Sequence, residues 1–299
     1  MAWEIVVPQT EEPKKLENFL KNRFHIGYVR KLFRKSGVRI NGQRSGPEQV
    51  TRPGDRIQLY IPFEKYKQEA KKIDRASSFE IIFEDHNLLV LNKPAGLAVH
   101  EGKGILKRDS LIGMLETSYR SQGVVPKLVH RIDRETSGLL VAGKDERIAD
   151  ELEKLFEKGD VEKEYMALVV GHLHPKKGTI DFPLPGREGQ PVSAITHYRV
   201  EKQFSETTLA RVRIETGRMH QIRLHFAGLG HPVVMDDEHG DFTFNKHFRK
   251  AYGLKRQFLH AAMIDFEYRG KKLRWTAPLA DDLARTLRSL ASQRDTRAS

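Results

Sequence analysis

The chain of 299 residues contains no cysteine. That excludes disulfides, thiolate zinc sites, iron–sulfur clusters and a cysteine nucleophile. It has no apolar run near the ~20 residues that a membrane span needs, and Met1-Ala-Trp-Glu-Ile5 has no basic region followed by an apolar stretch, as a signal peptide would. A soluble, cytoplasmic protein is the expectation. Tryptophan is scarce, and Trp3 and Trp275 are given no role beyond packing. What is present is an ample apolar fraction, 38%, enough for a sizeable core and not the composition of a disordered chain. The length suits a small domain beside a medium one.

Charge is present in excess of one sign. Lys and Arg number 52 against 40 Asp and Glu, a net +12. Residues 1–75 hold 17 basic and 9 acidic residues, so +8 of the excess falls in the first quarter. A basic module on a near-neutral body points to an anionic partner, most often nucleic acid. A solubilising surface is the competing account.

Pro13 after two acidic residues predicts a helix start, with Leu16, Phe19, Leu20 and Phe24 at helical spacing. A second helix is predicted over 28–35, then a strand at 38–40, a tight Asn41-Gly42 turn and a strand over 55–61. Six basic and no acidic residues lie from Arg23 to Arg39. Arg30, Lys31, Arg34, Lys35 and Arg39 are the candidate RNA contacts. The pattern Gly37-Val-Arg-Ile-Asn-Gly42 followed by Gly54-Asp-Arg-Ile57 resembles the small RNA-binding domain named after ribosomal protein four of the small subunit, over residues 13–62. The usual Arg-Leu-Asp opening is Lys15-Leu16-Glu17 here. The expected domains are 1–62, a charged linker 63–76, and a larger body 77–299.

In that body strands outnumber helices and no repeating strand–helix unit appears. The prediction is an α+β fold: a mixed, largely antiparallel sheet with flanking helices and a central cleft, beside the small N-terminal α/β domain. Asp145 is placed as the cap of a helix carrying Ile148, Ala149, Leu152, Leu155 and Phe156. Residues 219–229 are read as a helix with Met219, Ile222, Phe226 and Leu229 on its buried side, and residues 279–290 as a closing helix.

The stretch His130-Arg-Ile-Asp-Arg-Glu-Thr-Ser-Gly-Leu-Leu140 carries the chemistry. One acid, Asp133, sits in a polar loop between apolar strands, with arginines on either side. Guanidinium neighbours favour an ionised carboxylate, which a nucleophile or base requires; a structural Asp–Arg pair closing a turn is the competing account. Gly138–Asp145 nearly matches a phosphate loop but lacks its Ser/Thr and has a strand-like interior. His130-Arg131-x-Asp133 is similar to a kinase catalytic loop, with its aspartate one residue late. Both are rejected.

The same stretch matches the signature of RluA-type pseudouridine synthases without a mismatch. Asn92–His100, Lys163–Val169, Thr216–His225 and Gly230-His-Pro232 match further motifs in the family's order, so the resemblance spans about residues 80–280. It implies isomerisation of a uridine in RNA, without a cofactor, most naturally in ribosomal RNA or an assembling ribosomal subunit. It also implies that Asp133 is catalytic, that Arg131 fills the gap left by an extruded base, that Tyr165 lies against the uracil, and that Arg223 holds Asp133. Ile222, His130 and Lys163 complete the substrate-binding candidates. A single chain with a tethered module suggests a monomer. The alternative is a non-catalytic RNA-binding or ribosome-assembly factor on a synthase fold. After Pro232 the chain departs from the family: Met235 and His239 stand where Gly and Tyr are usual. Asp236, Asp237, Glu238 and His239 offer ligands for a divalent ion, but a solvated acidic turn is the preferred reading, and no metal is expected. His172 and His174 are read as surface histidines.

Overall fold

The computed structural model describes residues 3–21, 23–24, 26–60, 79–102, 104–186 and 188–295. The expected linker, 63–76, lies outside them. The chain divides into two compact units, one of residues 1–77 with 102–106, the other of 78–101 with 107–299.

The first unit runs β1 (Trp3–Val6), β2 (Lys14–Lys15), α1 (Leu16–Lys21), α2 (Ile26–Arg34), β3 (Val38–Ile40), β4 (Gln43–Arg44), β5 (Val50–Thr51) and β6 (Arg56–Leu59). Its four-stranded sheet has the order β1-β6-β3-β4, all antiparallel. Leu16, Phe19, Leu20, Tyr28, Val29 and Leu32 from the helices bury against Val38, Ile57 and Leu59 of the sheet. Asn41 and Gly42 take positive φ, 51° and 84°, and close the β3–β4 hairpin. The first helix begins at Leu16, three residues later than Pro13 suggests, because Lys14 and Lys15 pair with Thr51 and Val50 instead. The N–H of Leu16 then donates to Gln49 O. Phe24 joins the core from beyond the helix.

The second unit runs β7 (Glu80–Glu84), β8 (Leu88–Lys93), α3 (Leu111–Tyr119), β9 (Lys127–Leu128), β10 (Ser137–Gly143), α4 (Glu146–Lys158), β11 (Val161–Val170), β12 (Lys177–Ile180), β13 (Leu184–Pro185), β14 (Pro191–Val192), β15 (Thr196–Gln203), β16 (Thr207–Ile214), α5 (Gln221–Gly228), α6 (Phe242–Tyr252), β17 (Leu259–Tyr268), β18 (Lys271–Thr276) and α7 (Asp281–Asp295). Ten strands form one sheet, β12-β15-β16-β11-β17-β10-β8-β7, with β18 beside β17 and β9 beside β10. Only β10 and β17 pair in parallel; every other pair in it is antiparallel, so the α+β fold is as the sequence predicts.

Alternation along the central strands gives the sheet two buried faces. Leu89, Leu91, Leu140, Ala142, Tyr165 and Ala167 face one core with Ile222 and Phe226 of α5. Leu88, Val90, Leu139 and Val141 face another with Ile148, Ala149 and Leu152 of α4. The Asp145 carboxylate caps α4 by accepting from the Ile148 N–H. Among the described residues no helix is long and apolar enough to cross a membrane.

Candidate active site

The motif loop connects β9 to β10 and is tied down along its length. His130 Nε2 accepts from the Val141 N–H at 3.0 Å, and its ring stacks on Phe156 at 4.6 Å. Burial pushes its pKa down to about 3, so it stays neutral and able to accept. Lys93, fully buried, donates from Nζ to the carbonyls of Pro94, Leu97 and Arg134 at 2.9–3.0 Å. Arg134 Nε donates to Gly96 O, and the Gly96 N–H returns a bond to Arg134 O. From the other side Arg256, paired with Asp282 at 2.7 Å, donates to Glu135 O and to Ser137 Oγ. Gln257 reaches Thr136 Oγ1. The loop therefore presents Asp133 from a fixed frame, with about a fifth of its side chain exposed.

Gly138 is required by this frame. It stands at φ 112° where β10 meets β17, and a Cβ there would lie 2.1 Å from Ala261 O.

The partner of Asp133 comes from α5. Gln221 anchors that helix: its Oε1 accepts from Thr216 Oγ1 and the Arg218 N–H, and its Nε2 donates to Ile195 O and Thr196 Oγ1. His225, one turn on, contacts Thr196 Oγ1 and Phe182 O. Ile222 and Phe226 are buried. Arg223 is left facing the loop. Its Nη1 donates to Asp133 Oδ2 at 3.1 Å; Nε and Nη2 grip Asp236 at 2.6 and 2.8 Å, and Nη2 also reaches Glu238 at 3.1 Å. Burial works against the Arg223 charge, but the hydrogen bonds and charge of Asp236, with the charge of Asp133, outweigh it and raise its pKa. Asp236 is fully buried; burial opposes its charge too, and the Arg223 bonds with the backbone N–H groups of His239 and Glu238 prevail, lowering its pKa.

Asp133 opens onto a cleft of about 1030 Å³ lined by Arg131, Lys163, Tyr165, Ile222 and Arg223 among others. Lys163 and Tyr165 alternate on one face of β11, which carries a bulge against β17 between Glu164 and Tyr165. Burial, then the charge of Asp133, raise the Tyr165 pKa, so its hydroxyl stays protonated. Lys163 is buried, with Nζ 5.7 Å above the Phe156 ring, and burial lowers its pKa. Arg131 is exposed at the cleft.

Several expectations change. His130 lines the cleft, but its Nε2 is spent on Val141 and its ring on Phe156, so it holds the loop. Met219 and Leu229 are 68% and 42% exposed, not buried: His220 has φ 53° and the helix begins only at Gln221, so helical spacing cannot be projected back to Met219, and Leu229 is the C-cap just past the helix end at Gly228. The turn 236–239 is solvated only in part: Asp237 and Glu238 are exposed, but Asp236 is fully buried against Arg223. Asp236, Lys93 and Arg256 are the residues that sequence reasoning missed. Each ties into the site through a distant partner, Arg223 for Asp236, Arg134 for Lys93 and Glu135 for Arg256, 13, 41 and 121 positions away, so no local pattern announces them.

In the first unit, the helix α2 and its C-terminal neighbour carry Lys31, Arg34 and Lys35, the last two exposed. Arg39 on β3 lies over the Tyr60 ring at 4.7 Å. The Arg30 side chain lies outside the described part. Arg23 pairs with Glu11 and sits 3.7 Å over Phe19, so it is not available as the sequence count assumes.

Carboxylate, guanidinium and phenol converge on a cleft at the centre of an antiparallel sheet, and this fold and site define a class. The family described as RNA pseudouridylate synthase matches residues 87–228. The chain belongs to that family, an isomerase family that acts on RNA. Among its relatives, the ribosomal large subunit pseudouridine synthase C of Vibrio cholerae is 34% identical and covers 92% of both chains. The protein of the same name from Escherichia coli O157:H7 is 34% identical and covers 97% of both. The solved structure of human RNA pseudouridylate synthase domain containing 4 has 25% identity and a TM-score of 0.62, covering 77% of this chain and 98% of that one.

Proposed function

We propose that the chain isomerises uridine in ribosomal RNA of the large subunit, with Asp133 as its catalytic group. The observation that carries this is the Arg223–Asp133 pair, 3.1 Å apart, at a cleft walled by Tyr165. The relatives' names supply the substrate class. In the reaction the glycosidic bond breaks, the base turns, and carbon 5 bonds to the sugar. No electrons are lost and no group leaves, so no cofactor is called for.

Two routes are open to the carboxylate. It can attack the anomeric carbon, as in retaining glycosidases, or remove a sugar proton to give a glycal. In both, Arg223 orients one oxygen and leaves the other toward the substrate. The base must leave its stack, at a cost of a few kcal/mol. Arg131, exposed at the cleft, fills the space it leaves. Tyr165 lies against the uracil, where stacking contributes ~1–3 kcal/mol, with Ile222 beside it; Lys163 supports the same wall through Phe156. The first unit, with Arg30, Lys31, Arg34, Lys35 and Arg39, holds RNA by its phosphates. The organisation is a binding domain at 1–62, a linker at 63–76 and a synthase domain at 77–299, working as a cytoplasmic monomer.

The test uses RNA labelled with tritium at carbon 5 of uridine, from cells lacking this protein. Isomerisation expels that tritium. Wild type is expected to release it from large-subunit RNA, and Asp133→Ala to release none. Equal release by both would remove Asp133 from the chemistry; release from transfer RNA alone would overturn the substrate.

A further inference from the structure

Beside the Asp133 cleft three side chains converge. His220 Nδ1 lies 3.0 Å from His239 Nε2 and 3.4 Å from Glu238 Oε2, and His239 Nε2 lies 3.8 Å from that same oxygen. Imidazole nitrogen and carboxylate oxygen bind zinc-class ions at about 2.0–2.2 Å, and tetrahedral geometry at those lengths sets ligand atoms about 3.3–3.5 Å apart. The three edges here straddle that spacing. The atoms need move only a few tenths of an ångström, on the order of half an ångström at most, to close round one ion.

The surroundings suit a cation. Asp133, Asp236 and Glu238 stand against the one guanidinium of Arg223, to which all three are bonded. That leaves a net negative field in spite of the arginine. With Nδ1 on an ion, His220 keeps its proton on Nε2, which faces Asp133 Oδ1 at 3.9 Å. A carboxylate behind a ligating imidazole is the arrangement that fixes its tautomer. His220 and His239 are each about one-fifth exposed and Glu238 more than half, so an ion can enter from solvent and keep a fourth position open. Two imidazoles with one carboxylate select zinc-class ions over magnesium or calcium, which prefer oxygen.

We propose that His220, Glu238 and His239 form a binding site for a divalent transition-metal ion, three protein ligands with an open fourth position. This goes beyond the isomerase reading and does not depend on it.

The test is calorimetric titration of Zn²⁺ into the full, untagged chain, with the fold of each variant checked by circular dichroism. One saturable site is expected, undisturbed by millimolar Mg²⁺. Affinity should fall about tenfold or more in His239→Phe and in Glu238→Gln. His197→Asn removes the histidine of the separate His197–Glu215 pair, 2.6 Å apart on the second unit's surface, and should leave binding unchanged. X-ray absorption of the loaded protein should show two imidazoles. Absence of a saturable site, equal affinity in Glu238→Gln and wild type, or loss of binding in His197→Asn would each overturn the proposal. Glu238 is largely exposed, so its variant keeps the test decisive should His239→Phe fail to fold.

Discussion

Arg223 owes its position to a residue that no motif search singles out. Its side chain is 6% exposed and that of Asp236 is 0%, so the two form a buried, two-pronged ion pair with Asp133 as its outward arm. Removing one member of such a pair costs about 3–5 kcal/mol, because it strands the other's charge. Asp236→Asn should therefore lower stability toward that range in urea unfolding. It should also reduce kcat more than KM in the tritium assay, since the arginine that orients Asp133 loses its anchor. An unchanged kcat in folded variant would separate Asp236 from Asp133. Lys93 makes a second residue-scale case, one of pH. Three carbonyls form the acceptor set of an ammonium, yet burial draws its pKa from 10.5 down to about 7. Between about pH 7 and 10.5 the folded chain holds this group with fewer protons than the unfolded chain, so unfolding takes up a proton. Its contribution therefore makes stability rise with pH through that window, by at most about 1.4 kcal/mol per unit, and is least favourable below pH 7. Lys93→Met, compared with wild type by thermal unfolding across pH 6–10, should show a flatter rise. A slope equal to wild type would mean that Lys93 does not titrate there.

At the scale of elements, the site stands on one irregular joint: the parallel pairing of β10 with β17 inside an antiparallel sheet. The strands themselves were legible in sequence, since Leu139–Ala142 and Tyr165–Val170 are unbroken apolar runs and the Asp145 cap precedes a clear helical period. The joint was not, because pairing partners 123 positions apart leave no periodic trace. What the sequence did show was a glycine inside the motif, and the geometry explains it. Gly138→Ala would drive a methyl into Ala261 O at a φ that alanine rarely adopts. It should destabilise by about 2 kcal/mol or more, from overpacking together with strain, and it should release the loop that carries Asp133. Urea unfolding with a parallel activity measurement checks this; wild-type stability would show that the joint opens without cost. The same scale explains the misplacement of Met219. A helical wheel assumes unbroken α geometry, and one left-handed residue, His220, moves the helix start to Gln221 and turns Met219 out to the cleft rim.

Across the whole molecule, charge is unevenly divided. The larger body is nearly neutral and the excess is concentrated in residues 1–75, which suits the proposed division between a part that holds RNA and a part that reacts with it. Affinity through phosphates appears as a salt dependence, because each contact releases counterions. The unit's folded surface refines the sequence count: Arg23 is consumed by Glu11 and Arg39 lies on Tyr60, while Arg34 and Lys35 extend into solvent from the end of α2. Those two are the residues that should carry the slope. Replacing both by alanine should reduce the slope of log affinity against log salt by about 0.7 per lost contact on single-stranded RNA, or about 0.9 on duplex. The loss should be uniform across RNA sequences, since phosphate contacts position the chain without reading bases. At saturating RNA the rate of tritium release should remain that of wild type, because the reacting residues belong to the other unit. Filter binding from about 50 to 200 mM salt, the range in which such contacts separate most clearly, decides the matter. An unchanged slope would return Arg34 and Lys35 to the role of a solubilising surface, and a lowered saturated rate would show that the first unit also helps to place the uridine.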